Sequence, residues 1–118
     1  MSRSVLYNNP ISDSSAVAQA YRAKRYNEKT YPNCIKAAQE TAGQALFYNL
    51  MPATTIYTAS NGGRTVSCYE RWHGRSYVYL ISQNDPWDAA VGKPLHGTGV
   101  GMSQEGAMYA AKHGYNYK

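Results

Sequence analysis

Three stretches of this 118-residue sequence combine polar side chains with a sharply bending backbone. The first is the glycine-rich run at residues 97–107, which leads directly into a helix-like segment. The second is Ser-Asn-Gly-Gly at residues 60–63, and the third is Asp-Pro-Trp-Asp at residues 85–88. Hydroxyls, amides and carboxyls on such turns are typical of loops that bind ligands or carry out acid–base chemistry.

The glycine-rich run allows two interpretations. Its alternate glycines leave one face of the backbone bare, so another group can approach closely. The free N–H groups of the following helix would point toward that face and suit a polar or anionic ligand. Alternatively, the bare face packs a strand against a helix and no ligand is involved.

The carboxyl groups near these stretches are candidate general acids. Glu105 lies in the first turn of the predicted last helix, where the helix dipole favours the anion and disfavours an acid role. Asp85 and Asp88 flank Trp87, whose ring can partly remove them from water. Both aspartates fit solvated loop residues or helix caps better than general acids.

The composition predicts a single globular domain over residues 1–118. Hydrophobic residues make up 43% of the sequence, which excludes a disordered chain, and the length suffices for one modest core. Tyrosine occurs 12 times, an excess that fits a wide amphipathic groove, an interface, or a small core rimmed with tyrosine.

The net charge is +5, and part of the positively charged residues cluster at residues 22–25 and 71–75. Such a charge suits an anionic polymer or membrane surface as partner, but it serves solubility equally well. No zinc-finger or RNA-binding motif accompanies it, so we expect no nucleic-acid partner. No apolar run approaches the roughly 20 residues of a membrane span, and the first residues lack a signal peptide's apolar segment.

Cys34 and Cys68 fit either one disulfide or two free thiols. Their surroundings lack the spacing of metal ligands, and we expect no metal and no cofactor.

Several elements must position the three stretches. Propensity and capping predict helices near residues 16–21, 34–42 and 107–113, the second begun by Asn33 and the last ended by Gly114. β-Branched and aromatic residues predict strands at residues 44–48, 54–59, near Val66 and at 76–82. We therefore expect an α+β fold: a mainly antiparallel sheet with two or three packed helices.

In order and spacing, these motifs resemble the stage II sporulation protein D and amidase-enhancer domain of bacterial cell-wall enzymes. The resemblance covers roughly residues 13–117. It includes Thr-Ala-Gly at 41–43, Tyr-Thr-Ala-Ser-Asn-Gly-Gly-Arg-Thr at 57–65, Trp72, Asp-Pro-Trp at 85–87, and Gly-Val-Gly-Met-Ser-Gln-Glu-Gly-Ala at 99–107.

The resemblance implies a domain that acts on peptidoglycan. Members from sporulation resemble lytic transglycosylases, which cleave the glycan after N-acetylmuramic acid and leave an anhydro sugar, whereas other members enhance an amidase. The implied partners are peptidoglycan glycan strands and another cell-wall hydrolase. The implied location is the cell wall or the extracellular space, in a bacterium or in a phage lysis or tail assembly.

The resemblance also makes the glycine-rich run and the turn at residues 60–63 one wall of a saccharide groove. Ser60 and Ser103 lack His–Asp partners for a nucleophilic triad, so their hydroxyls bind sugar or cap turns. Gln104 is placed to bind an N-acetyl group or to hold the backbone. The predicted substrate-binding residues are Tyr57, Ser60, Gly62, Gly63, His96, Thr98, Ser103 and Gln104.

The sequence departs from the family pattern in two places. Thr98 stands where the family has His; His96, two residues earlier, would share its side of a strand and either partly replaces that His or is an ordinary surface histidine. The family's catalytic Glu lies in an upstream section that this sequence lacks, since its first Glu is Glu28. We therefore expect the later two-thirds of the domain, without its catalytic acid, acting as an incomplete enzyme or as a wall-binding or enhancer module.

Overall fold

A computed structural model describes residue 29 and residues 31–73 and 77–117. The chain divides into two compact units, Met1–Leu46 and Phe47–Lys118. The predicted helix near residues 16–21 lies outside the described residues, and the single-domain organisation stays a prediction.

The first unit contains helix α1, Pro32–Glu40. The fixed φ of proline suits the first helical turn, so the helix begins before the predicted cap Asn33. The helix ends at Glu40 and is capped by Thr41, whose hydroxyl donates to the carbonyl of Ala37 at 2.8 Å. No α1 residue is buried, so this helix adds nothing to a core within the described residues.

The second unit has short strands and three helices in its described residues. Strand β1 (Phe47–Tyr48) pairs antiparallel with β2 (Met51–Pro52), and β3 (Tyr57–Thr58) pairs parallel with β4 (Met102–Ser103). The helices are α2 (Cys68–Trp72), α3 (Pro86–Val91) and α4 (Gln104–Lys112). The predicted α+β class is confirmed.

The strand predicted at residues 76–82 is not found in its described part, residues 77–82, where side chains replace part of a backbone ladder. The Thr65 hydroxyl donates to the carbonyl of Ile81 at 2.9 Å and accepts from the N–H of Gln83 at 2.9 Å. The Ser82 hydroxyl donates in turn to the Thr65 carbonyl at 2.6 Å. Residues 77–82 are therefore held to residue 65 as turns and irregular chain rather than as the predicted strand.

The centre of the second unit is largely polar. Among the described residues, the buried apolar side chains are Val100 and Cys68. The buried polar residues are Thr58, Ser60, Asn61, Thr65, Asp88 and Ser103. Buried polar groups are costly unless hydrogen-bonded, so the stability of this unit depends on the pairing of these side chains.

Both cysteines are free thiols: Cys34 is exposed in α1, and Cys68 is buried at the start of α2. Of the helices in the described residues, none has the length and apolar character needed to cross a bilayer.

Candidate functional site

The Asp88 carboxylate is the meeting point of the candidate site. Its Oδ2 accepts hydrogen bonds from the Ser60 hydroxyl at 3.0 Å and from the backbone N–H groups of Asn61 and Gly63 at 3.1 and 3.0 Å. Its Oδ1 accepts from the Ser103 hydroxyl. Asp88 is 0% exposed, and we call it together with these four partners the Asp88 cluster.

Helix α3 places Asp88 in the cluster. Asp85 caps this helix, its Oδ1 accepting from the N–H of Asp88 at 3.0 Å, and Pro86 follows in the first turn. The second carboxylate oxygen of Asp85 accepts from the side-chain amide of Asn61 at 2.7 Å. The Asp-Pro-Trp-Asp motif thus begins a helix and turns both carboxylates toward residues 60–63.

The turn at residues 60–63 wraps its backbone donors around Asp88. The N–H of Gly63 also lies 2.9 Å from the Asn61 side-chain oxygen, which tightens the turn locally. Gly62 and Gly63 adopt φ values of 72° and 94°, a region that glycine occupies without strain. This explains why the motif carries two consecutive glycines.

The glycine-rich run approaches the rest of the chain rather than open space. A Cβ on Gly101 would lie 2.0 Å from the carbonyl oxygen of Ile56, at the β3–β4 pairing. A Cβ on Gly106 would lie 3.0 Å from the backbone nitrogen of Asp88, where α4 packs on α3. At these two glycines the bare face therefore serves packing within the protein, the second of the two interpretations.

The pKa of Asp88 is lowered despite its burial. Burial alone would raise the pKa, because it penalises the charged form. The hydrogen bonds from Ser103, Gly63 and Ser60 stabilise the anion and outweigh that effect. Asp88 is therefore a buried carboxylate that stays ionised at neutral pH, the opposite of a general acid.

The other carboxylates among the described residues are also used as acceptors or in ion pairs. A general acid has to donate a proton, and Asp85 instead accepts from Asn61 and from the backbone of α3. The remaining three pair at the surface: Glu40 with Lys36, Glu70 with Ser67, and Glu105 with Lys93. Within the described part of the chain, no three His, Cys, Asp or Glu side chains are grouped to hold a metal ion.

The structure places five of the eight predicted substrate-binding residues in the Asp88 cluster or beside it. Ser60 and Ser103 are 1% and 2% exposed, and their hydroxyls point inward to the carboxylate. Gly63 contributes its N–H, while Gly62 lies exposed beside it. His96 joins this group through backbone hydrogen bonds to Ser60 in both directions, at 3.1 and 2.9 Å.

The other predicted residues lie nearer the surface. Tyr57 is 42% exposed on β3, and Gln104 is exposed at the start of α4. The Thr98 hydroxyl, half-buried, accepts from the N–H of Val100 at 3.2 Å. Between His96 and Thr98, Gly97 has a φ of 107°, so these two residues do not lie on a regular strand as predicted.

Two cavities flank the Asp88 cluster. One, of about 300 Å³, is lined by Ser60, His96 and the ion pair of Lys93 with Glu105, whose charged atoms lie 2.6 Å apart. The other, of about 470 Å³, is lined by residues of 79–87 and 101–107 together with Thr65. Ser60 and Ser103 thus each lie against a different cavity.

Comparison with known proteins agrees with the motifs. The chain is 36% identical over 77 residues to the amidase enhancer of Bacillus subtilis (strain 168). That match takes in 65% of this chain and 10% of that protein, so the chain spans about a tenth of the length of the curated relative it matches. No family model and no solved structure matches the sequence. The resemblance to the amidase-enhancer domain, predicted from the motifs, is therefore confirmed for part of that domain.

Proposed function

We propose that this chain is a module that binds peptidoglycan and raises the activity of a cell-wall amidase without cleaving the wall itself. The observation that carries the proposal is the 36% identity over 77 residues to a protein described as an amidase enhancer. Since that relative is bacterial, we place the module in a bacterial wall assembly, outside the cell, rather than in a phage lysis or tail protein.

The carboxylates of the described residues support an enhancer over an enzyme. A lytic transglycosylase has to protonate the leaving oxygen from a carboxyl that keeps its proton in a groove. Asp88 is the most buried carboxyl in the described chain, and its pKa is lowered, with hydrogen bonds from Ser103, Gly63 and Ser60 outweighing the effect of burial. We therefore rank lytic transglycosylase activity, which the resemblance also implies, behind the enhancer role.

For the predicted binding residues we propose two roles. The groups inside the Asp88 cluster maintain the shape of the wall-binding surface, because they form their hydrogen bonds with Asp88 and not with a ligand. The residues that reach the surface contact the glycan. The first set is Ser60, Gly63 and Ser103, and the second is Tyr57, Gly62, His96, Thr98 and Gln104.

Two measurements test the proposal. Purified sacculi should retain the protein on sedimentation, at low salt and at physiological salt, and the release of dye from labelled sacculi by a cell-wall amidase should rise with added protein. Glu40→Gln, an exposed change in α1, should leave both results unchanged. Absence of retention together with absence of stimulation would overturn the proposal.

Retention that disappears at physiological salt would indicate attraction of a basic protein to an anionic polymer, which is screened by salt. That outcome would contradict specific wall binding, since the module would then act only through its net charge of +5.

A further inference from the structure

The turn between β1 and β2 exposes a leucine in a backbone conformation that leucine disfavours. The two turn residues, Asn49 and Leu50, have φ values of 47° and 64°. Two positive φ values mark a type I′ turn, for which Asn-Gly is a preferred pair because a Cβ at the second position is strained. Leu50 is nevertheless 94% exposed, so no burial of its side chain offsets that strain. Folding alone therefore does not account for a leucine at this position.

The apolar surface extends from Leu50 into both strands of the hairpin. Phe47 in β1 and Met51 in β2 are exposed as well, and we call these three residues the hairpin tip. From residue 41 to residue 63 the sequence contains no charged residue. Large apolar side chains are costly to expose to water, and an uncharged group of them marks a site of contact with a protein or a membrane.

Tyrosine rings adjoin the hairpin tip. The ring of Tyr79 lies 4.8 Å from that of Tyr48 and 5.9 Å from that of Tyr77, measured between centroids, and we call the three the tyrosine cluster. The Tyr79 hydroxyl accepts from the N–H of Thr54 at 2.8 Å, which fixes the cluster to the chain that follows β2. Because tyrosine has an apolar body and a polar end, such rings are enriched where the apolar interior of a bilayer meets water.

Charge and shape favour a bilayer as the partner of the tip. The net charge of +5 attracts an anionic surface. A second copy of the chain would carry the same charge, so repulsion opposes self-association through the tip. A protein partner would need a pocket that matches so exposed a side chain, whereas the interface of a bilayer takes up apolar side chains of any shape.

We propose that the hairpin tip inserts into the surface of an anionic lipid bilayer. Leu50 enters the acyl region, the tyrosine cluster lies at the level of the head groups, and the net positive charge attracts the lipid phosphates. The inference goes beyond the proposed function, because it gives the module a second contact that uses none of the residues assigned to the glycan.

Co-sedimentation with lipid vesicles tests the inference. The protein should bind vesicles of phosphatidylglycerol and phosphatidylcholine in equal parts at least about tenfold more tightly than vesicles of phosphatidylcholine alone. Leu50→Gly should weaken binding to the anionic vesicles by at least about tenfold, because it removes the side chain at the end of the hairpin. The substitution gives the turn its preferred Asn-Gly pair, so urea unfolding should show this variant to be as stable as wild type or more stable.

Two exposed methionines supply a matched pair of variants. Met51 belongs to the hairpin tip, whereas Met108 lies on α4. Met51→Ala should weaken binding to the anionic vesicles by about threefold or more, since it removes apolar surface from the inserted tip. Met108→Ala should leave the binding unchanged. Equal weakening by the two variants would contradict insertion through the tip.

Other results would also overturn the inference. The first is absence of binding to the anionic vesicles, and the second is equal binding by wild type and Leu50→Gly. Loss of amidase stimulation by Leu50→Gly without lipid would assign the tip to the amidase, and a wild-type dimer that Leu50→Gly dissociates would assign it to a second copy. Retention of the wild-type protein by sacculi and its stimulation of the amidase do not depend on vesicles, so their failure would contradict the proposed function alone.

Discussion

The Ser103 hydroxyl donates a hydrogen bond to Asp88, although the serine precedes α4 and the aspartate lies inside α3. The same hydroxyl accepts from the N–H of Gly106 at 3.0 Å, so one oxygen atom both caps α4 and fixes it to α3. On the other side of the carboxylate, Ser60 donates at 3.0 Å. A buried anion thus joins three segments that are distant in sequence, in a unit whose buried side chains are mostly polar.

Replacing Asp88 by Asn should destabilise the protein strongly. The amide keeps the shape but loses acceptor capacity, leaving buried hydroxyl and N–H donors without a partner. We expect the free energy of unfolding to fall by at least about 3 kcal/mol. Urea unfolding followed by circular dichroism measures it, with Glu40→Gln as an exposed control expected within about 0.5 kcal/mol of wild type. Equal stability of the two variants would contradict the role of the Asp88 cluster.

The stability of the protein should also fall in acid through Asp88. Its folded-state pKa lies below the ordinary value because its hydrogen bonds, led by that from Ser103, outweigh burial, which raises the pKa. The stabilisation is therefore complete above about pH 4 and is lost as the pH falls through the lowered folded-state value. Unfolding free energies measured across this range should show a shallower acid slope for Asp88→Asn than for wild type.

A residual acid slope is expected in both proteins, because the Ser67 hydroxyl also lowers the pKa of Glu70. Identical slopes for wild type and Asp88→Asn would mean that folding does not lower the pKa of Asp88, contrary to the structure.

Two helix caps offer a matched comparison. Ser67 caps α2 at an exposed site and forms a reciprocal pair with Glu70, so Ser67→Ala should cost about 1 kcal/mol. Ser103→Ala removes a cap and also leaves Oδ1 of the buried Asp88 without its donor, so it should cost about 2–3 kcal/mol. Chemical denaturation of both variants measures the difference. A larger loss for Ser67→Ala would rule out the coupling of α3 to α4 through Ser103.

Glycine packing predicts a second matched pair. Gly101 and Gly92 have similar φ values, 79° and 72°, so alanine at either position carries comparable backbone strain. Only at Gly101 would the new Cβ meet the Ile56 carbonyl, the acceptor for Met102 in the β3–β4 pairing; at Gly92 nothing lies within 4 Å. Thermal unfolding should show Gly101→Ala to be less stable than Gly92→Ala by about 2 kcal/mol. Equal losses would exclude close packing at Gly101.

Local signals in the sequence predict the helices better than the strands. Helices α1 and α4 lie close to their predicted ranges, whereas no helix is predicted over α2 or α3. Both missed helices carry a start signal: Ser67 with Glu70 forms a capping box, and Asp85 followed by Pro86 is a cap with proline in the first turn. These two start signals predict both helices, even though the segments themselves are polar.

The role of Asp88 could not be predicted from the sequence. Its partners Ser60 and Ser103 come from separate segments, and local pattern carries no information on which distant turns meet. The sequence shows only an aspartate beside a tryptophan, which fits a solvated loop as well as a buried anion. The Ser-x-Gly-Gly turn was predicted, but the direction of its hydroxyl, inward to a carboxylate rather than outward, depends on how α3 packs.

The effect of the protein on intact peptidoglycan distinguishes an enhancer from an enzyme most directly. Mass-spectrometric analysis of muropeptides from sacculi incubated with the protein alone, with a cell-wall amidase alone, and with both would decide it. We predict more amidase product in the mixture than with the amidase alone, and no anhydromuramic ends from the protein alone. Anhydromuramic ends released by the protein alone would contradict an enhancer role without cleavage, because they require a catalytic acid.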